Sequence, residues 1–445
     1  MIASFLGLLI AAGIQIHHWQ VPVVTGQDVA VAAVICPEGT APEFKIRAKG
    51  LPFGALKKAL VKDSLLWINV EARRLDKSFT LKIRAKGFEI TETGILEHRL
   101  ARRVRSSGDD GVAAYRIPGL VTSKKGTLIA TYDIRRKNAY DLQGDIDVGI
   151  SRSTDGGRTW GPMTVAMDMG RWGGLPEDQN GIGDPCILVD EVTGDILLFA
   201  AWTHGKPAQA AWWSAGDGFE PSETPQLMMA RSIDDGLTWS KPENLTRQIK
   251  EAAWRFTFQG PGRGITMADG TLVVPFQHQE ADRTPAAGIM YSRDHGTTWT
   301  VHEYAKINTT ESQVAEVEPG VLMLNMRDNR KTGRAVYITR DMGNTWEPHS
   351  SDGKLVEPVC MASLLKFGNM LLFSNPADGK DRRNMTIQIS LDGGVTWPRK
   401  LLIDEGYSWG YSCLTMIDKD TVGILYESSQ AHMTFQAIKL KDIHE

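Results

Sequence analysis

One eight-residue pattern recurs five times and constrains this chain more than any other feature. It reads S/T-x-D-x-G-x-T-W and begins at Ser153, Ser232, Ser292, Thr339 and Ser390. Five of the thirteen tryptophans lie in these copies. A unit repeated at intervals of this size points to a repeat architecture. Apolar, strand-forming residues precede the copies, as in Asp147-Val148-Gly149-Ile150-Ser151 and Met385-Thr386-Ile387-Gln388-Ile389. Within a copy the Asp sets a turn by bonding to nearby backbone. The Gly supplies a positive φ, the Thr suits the following strand, and the Trp offers a large flat surface to bury against its own hairpin. The Asp of each copy is read as structural.

These copies resemble the Asp boxes of the sialidase (neuraminidase) family, which also occur in β-propellers of unrelated function. The resemblance, which covers about Tyr115 to Glu427, implies an all-β fold, a six-bladed β-propeller; the stretch before residue 100 lies outside it and reads from its own strand patterns as a small β-sandwich-like N-terminal domain. From Arg105 onward there are roughly 340 residues, which divided by six gives the size of a four-stranded blade with its loops. The sixth blade is expected to lack a box. The uneven box intervals imply insertions in the longer ones. The tail from Thr421 to Leu440 is expected to pair with early propeller strands and close the ring.

The predicted organisation is an export segment at 1–19, a small β domain at 20–97, a linker at 98–112 and the propeller at 113–445. The apolar start, Ile2 to Ile16, has the length of a secretory core and is too short to span a bilayer comfortably, although no Lys or Arg precedes it. An exported protein (periplasmic, cell-surface or secreted) is expected; a mis-set start or a buried first strand are the alternatives. In the small domain, Leu65–Val70 and Phe79–Arg84 alternate as strands. Gly54–Leu60 reads as one or two helical turns. The phrase Lys-Ile-Arg-Ala-Lys-Gly occurs twice, at 45–50 and 82–87, and is read as two similar strand-turn units. The small domain is expected to bind carbohydrate or to brace the larger one.

Among 445 residues the formal net charge is −3, which gives nucleic acid no basic surplus to bind. Cys36, Cys186, Cys360 and Cys413 are widely spread. That spacing argues against a zinc site and a disulfide scaffold, and leaves room for one or two disulfides. No metal or organic cofactor is implied, no other segment is apolar enough for a membrane span, and the oligomeric state is open.

Site residues follow from the resemblance, motif by motif. Tyr115-Arg116-Ile117-Pro118 resembles the segment that opens the family's catalytic domain, and gives Arg116 to a three-arginine clamp on the substrate carboxylate. Glu311-Ser312-Gln313-Val314-Ala315-Glu316 with Leu324-Asn325-Met326-Arg327 assigns Arg327. Ser374-Asn375-Pro376 followed by Arg382-Arg383-Asn384 assigns Arg382 rather than Arg383. Guanidinium groups stay charged and present paired planar donors that match a carboxylate. Tyr411-Ser412-Cys413-Leu414 resembles the nucleophile segment, with Gly410 where the family often has Ala; Tyr407 lacks the following motif. A neutral phenol avoids the repulsion that a carboxylate nucleophile meets at an anionic sugar, and tyrosine nucleophiles are characteristic of sialidases. Glu311 is the implied activating base. Asp133-Ile134-Arg135 through Asp141 resembles the acid loop: Asp141 is the general acid/base, Arg135 faces the sugar's 4-hydroxyl edge, and Asp133, Asp145 and Asp147 are structural. Asp184, before Pro185, is implied to accept from the N-acetyl N–H. Trp172, Trp202 and Trp254 are candidates for an apolar wall.

The implied activity is that of an exo-α-sialidase acting on sialylated glycans with retention through a tyrosyl intermediate. A trans-sialidase or an intramolecular trans-sialidase uses the same core residues. A non-catalytic glycan-binding propeller keeps the boxes and loses the tyrosine or the acid.

Overall fold

The structure is a computed structural model that describes residues 15–17, 21–30, 33–35, 43–62, 65–86 and 93–444. It divides into two compact units, residues 1–101 and 102–445. The expected export segment lies outside the described residues except for the strand Gln15–His17, and Cys36 lies outside them too.

The larger unit is a six-bladed β-propeller. The first blade comprises Ala114–Thr122, Leu128–Arg135, Ile146–Ser153 and Thr164–Met167, counted from the axis outward. The fifth repeats the plan with Ser363–Phe367, Met370–Pro376, Met385–Ser390 and Arg399–Asp404. The inner strand of the first blade contacts the inner strands of both the second and the sixth, so the ring is closed. The sixth blade has no box. Its strands Ser412–Asp418, Thr421–Tyr426 and Met433–Lys439 are completed by Leu100–Arg105, with Arg102 opposite Phe435 and Arg103 opposite Thr434. The stretch read as a linker at 98–112 therefore carries the outer strand of a blade. Pairing of strands from opposite ends of a chain is decided by topology, and the local composition of the stretch does not record it.

Each box closes by one set of bonds. In the first, the Ser153 hydroxyl donates to Asp155 Oδ1 (2.8 Å) and accepts from the Gly157 N–H (2.9 Å), while the Thr159 N–H and hydroxyl donate to Asp155 at 3.0 and 2.6 Å. Side-chain hydrogen bonds from Thr238 and Thr396 hold Asp234 and Asp392 down to about 2. Gly157 has φ +83, and a Cβ there would fall 2.0 Å from Phe435. The tryptophans reach further than a hairpin tip. Trp160 stands edge-on to Phe435 of the sixth blade (5.1 Å) and Trp299 edge-on to Phe199 of the second (5.1 Å), so these boxes join neighbouring blades.

In the smaller unit, Gln15–His17, Ala33–Ile35, Leu65–Glu71, Asp28–Ala30 and Leu56–Lys62 form one sheet, and Glu43–Lys49, Phe79–Lys86 and Thr93–His98 a second. Ile68 and Val70 of the first meet Leu81 and Ile83 of the second in a buried core. The expected helical turns over Gly54–Leu60 are a strand instead. Leu56–Lys62 pairs with Leu65–Glu71, and this pairing overrides the helix propensity of Leu, Lys and Ala. The two copies of the repeated phrase are neighbours in the second sheet, Ile46 opposite Ile83.

Among the described residues no helix is long and apolar enough to cross a membrane. Cys186, Cys360 and Cys413 are free and buried.

Candidate active site

The inner strands begin at one end of the ring, and three of them carry a β-bulge there. In Ala114–Thr122 the register shifts between Arg116 and Gly119, in Ile182–Val189 between Gly183 and Cys186, and in Thr309–Glu318 between Thr309 and Ser312. Bulges re-aim side chains. At the first, Ile117 takes φ +63, and at the second Asp184 takes φ +58. A β-branched residue at positive φ is costly and is kept only where its surroundings enforce it. Here the Ile117 N–H donates to Glu427 Oε1 (3.1 Å). The same carboxylate accepts from Arg116 Nε (2.6 Å) and from the Tyr411 N–H (3.0 Å).

Around the Tyr411 ring the chain brings three guanidinium groups together. Arg116 lies 5.4 Å from the ring centroid and also stacks over Trp409 at 4.6 Å. Arg382 lies 5.7 Å from the ring and donates to the Trp409 carbonyl (3.1 Å) and the Val359 carbonyl (3.1 Å). Arg327 Nη1 donates to Glu311 Oε2 (2.7 Å) and to the Tyr411 hydroxyl (3.3 Å), and its buried Nε has no hydrogen-bond partner among the described residues. Arg383 points elsewhere, to Asp378 (3.0 Å) and over Tyr407 (5.7 Å), and Tyr407 is exposed.

The Tyr411 hydroxyl donates to Glu311 Oε1. Burial first, and the Glu311 charge second, push the phenol well above its usual value, while Arg327 and Arg382 pull the other way. The site thus holds a neutral phenol with an acceptor on its proton.

Asp141 sits in the loop after the second strand of the first blade, its side chain 77% exposed and its Oδ1 2.7 Å from Arg135 Nη1. Desolvation acts to raise its pKa, but the charge and hydrogen bond of Arg135, with Arg116 and Arg382 behind, hold it below the usual carboxylate range. Arg135 is itself buried and gripped by Asp133 Oδ2 at 3.0 and 2.8 Å. Asp133 also accepts from the Asp184 N–H (2.8 Å), tying the first blade to the second. The Asp184 carboxyl is lifted well above its usual value, by burial first and then by the charges of Asp133 and Asp141. Asp147 pairs with Arg136 (2.5 Å), outside this cluster.

The tryptophan candidates do not converge. Trp172 and Trp202 meet edge to face at 4.9 Å, whereas Trp254 stacks on His278 at 3.8 Å.

Two residues of the cluster escape a reading by motif. Glu427 is one, and the signal that could have found it is position. It directly follows the second strand of its blade, Thr421–Tyr426, where Asp133 and Arg135 end the second strand of the first blade and Arg327 approaches the end of Val321–Asp328 in the fourth. Trp409 is the other, and nothing in its sequence context singles it out.

A family model described as a BNR repeat-like domain matches residues 126–424. A sialidase of Bacteroides fragilis (strain YCH46) is 59% identical over 365 residues, which cover 80% of this chain and 67% of that one. A sialidase of Micromonospora viridifaciens is 33% identical over 338 residues, covering 72% of this chain and 51% of that one, so the chain spans about half the length of this second relative. Among solved structures, the Hadza microbial sialidase Hz136 superposes with a TM-score of 0.86 at 45% identity, covering 96% of this chain and 99% of that one. A repeat match over most of the propeller, joined to identity of this extent, reflects common descent, and the chain belongs to the sialidase family.

Proposed function

We propose that the protein is an exported exo-α-sialidase that releases terminal sialic acid from glycoconjugates with net retention. The observation that carries this reading is the convergence of Arg116, Arg327 and Arg382 on a phenol already bonded to a carboxylate.

The three guanidinium groups take the substrate carboxylate, by charge-assisted bonds of about 1.5–3 kcal/mol each before desolvation. Tyr411 Oη attacks the anomeric carbon while its proton passes to Glu311. Free ionisation of even an ordinary phenol at pH 6 costs about 5 kcal/mol, and proton transfer to Glu311 in concert with C–O bond formation means that no free phenoxide has to form. Asp141 gives its proton to the departing glycosidic oxygen, then takes one from the water that cleaves the tyrosyl-sugar bond. Two displacements at one carbon retain configuration.

The arginines that depress Asp141 also serve its catalysis. A substrate carboxylate neutralises part of the field of Arg116 and Arg382, and Asp141 then rises toward the protonated form that a general acid needs. Asp184 and Arg135 address the acetamido and 4-hydroxyl edges of the sugar.

The test is incubation with α2,3- and α2,6-sialyllactose. Free sialic acid appearing first as the α-anomer is the expected result; no release from either, or a β-anomer first, contradicts the reading. Product mass separates hydrolysis from transfer to another sugar or to the sugar's own hydroxyl.

A further inference from the structure

The propeller chemistry leaves the repeated phrase of the small unit, Lys-Ile-Arg-Ala-Lys-Gly, unexplained. Strands Glu43–Lys49 and Phe79–Lys86 pair antiparallel with Lys45 opposite Arg84 and Arg47 opposite Lys82. Side chains alternate across a strand, so Lys45, Arg47, Lys49, Lys82 and Arg84 share one face, while Ile46, Leu81 and Ile83 turn to the core. All five cations are exposed. Among the described residues none of the five side chains has an ion-pair or hydrogen-bond partner. Elsewhere in the same unit a cation is paired, as Lys57 is with Glu71 at 2.8 Å.

Like charges directly opposite each other on a sheet are destabilising. Two such pairs stand side by side at the centre of this face, and by register the acids Glu43 and Glu97 fall only at its ends. A fold that places cations this way carries a repulsion that an incoming anion relieves. The spacing is a grid of about 5 Å across strands and about 7 Å along them. Such a flat lattice fits a ligand with many anionic groups spread along an extended chain, better than it fits one compact anion.

We propose that this face binds polyanionic glycan chains, rich in carboxylate or sulfate, and tethers them to the chain that carries the propeller. The choice of glycan over anionic lipid rests on the propeller's own proposed substrate, an anionic sugar at a chain end; tethering such a polymer raises the local concentration of those ends.

The experiment uses the full chain and chondroitin sulfate, which carries no sialic acid, so binding is read independently of turnover. Wild type is compared with a variant carrying Lys45→Ser, Arg47→Ser, Lys82→Ser and Arg84→Ser, and with Arg47→Ser/Arg84→Ser should the four-site chain not fold. The wild type is expected to bind at about 0.15 M salt, where weakly placed surface charges are screened, and the variant to bind at least about tenfold more weakly. The variant's Tm is expected to equal or exceed that of wild type, and both chains are expected to cleave sialyllactose equally. Equal binding by the two chains, or no wild-type binding at that salt, overturns the proposal. Binding to phosphatidylserine vesicles without binding to chondroitin sulfate overturns the glycan assignment. Failure of both chains on sialyllactose would refute the hydrolase reading and leave the binding result intact.

Discussion

Arg334 and Glu357 form an ion pair 2.8 Å long with both side chains wholly excluded from solvent. Arg334 also donates to Asn325 Oδ1 (2.6 Å), the Asn325 carbonyl (3.0 Å) and the Cys360 carbonyl (2.7 Å), and Glu357 accepts from the Asp328 N–H (2.9 Å). Asn325 and Asp328 flank Arg327. Val359, whose carbonyl holds Arg382, lies between Glu357 and Cys360. One buried pair therefore fastens together the strand and the loop that carry or support two of the three clustered arginines.

Removing one partner of such a pair leaves an uncompensated buried charge. Glu357→Gln is expected to lower unfolding stability by about 3–5 kcal/mol, read by denaturant titration. Its surviving folded fraction is expected to show a raised KM.

Tyr411→Phe keeps the ring between Arg116 and Arg382 and removes the hydroxyl proposed as nucleophile. Turnover of sialyllactose is expected to fall to near background with Tm unchanged. Asp141→Ala is expected to lose roughly 100- to 10,000-fold in kcat. Substrates with a good leaving group, such as an aryl sialoside, should lose less in the first step because they need no proton.

Gly410 departs from the alanine expected before the tyrosine motif, and the structure gives the reason. Its φ is +89, and a Cβ would stand 2.8 Å from Pro376, 3.0 Å from Cys360 Sγ and 3.3 Å from Arg382 Cβ. Gly410→Ala is expected to be destabilised by more than about 1 kcal/mol. It should also weaken substrate binding through Arg382, seen as a raised KM. Unchanged stability and kinetics would show that the backbone relaxes freely here.

Burial, partly offset by hydrogen bonds from Ser429 and Gly406, raises Asp404 to about 6. The folded chain therefore holds this proton more tightly than the unfolded chain, whose carboxyl titrates near 3.9. The resulting stability is present in full below about pH 4 and is lost as pH rises through about 6, a change of about 3 kcal/mol. Asp404→Asn is expected to remove this decline from a plot of stability against pH, while costing the bond from the Ser429 N–H (2.8 Å) at every pH.

The propeller was legible because each box is closed locally: Asp155 and Thr159 are four residues apart and bond to one another. The clustered arginines and Tyr411 were legible as short strings. What the strings do not contain is adjacency between blades. Glu427 meets Arg116 across 311 positions of chain, and no local pattern announces it. The same holds for Leu100–Arg105, whose partner strand lies at the far end of the chain. Leu56–Lys62 failed for the opposite reason, since its local helix propensity is real and a neighbouring strand outweighs it.

The central claim is that Tyr411 bonds covalently to the anomeric carbon of a sugar whose carboxylate the arginines hold. The direct measurement is mass spectrometry of the protein after exposure to a fluorinated sialosyl fluoride, which slows breakdown of any glycosyl-enzyme. A single sugar attached to the peptide containing Tyr411, and none on Tyr411→Phe, is the result the account expects. Attachment to Asp141 or Glu311, or turnover in Tyr411→Phe equal to that of wild type, would contradict it.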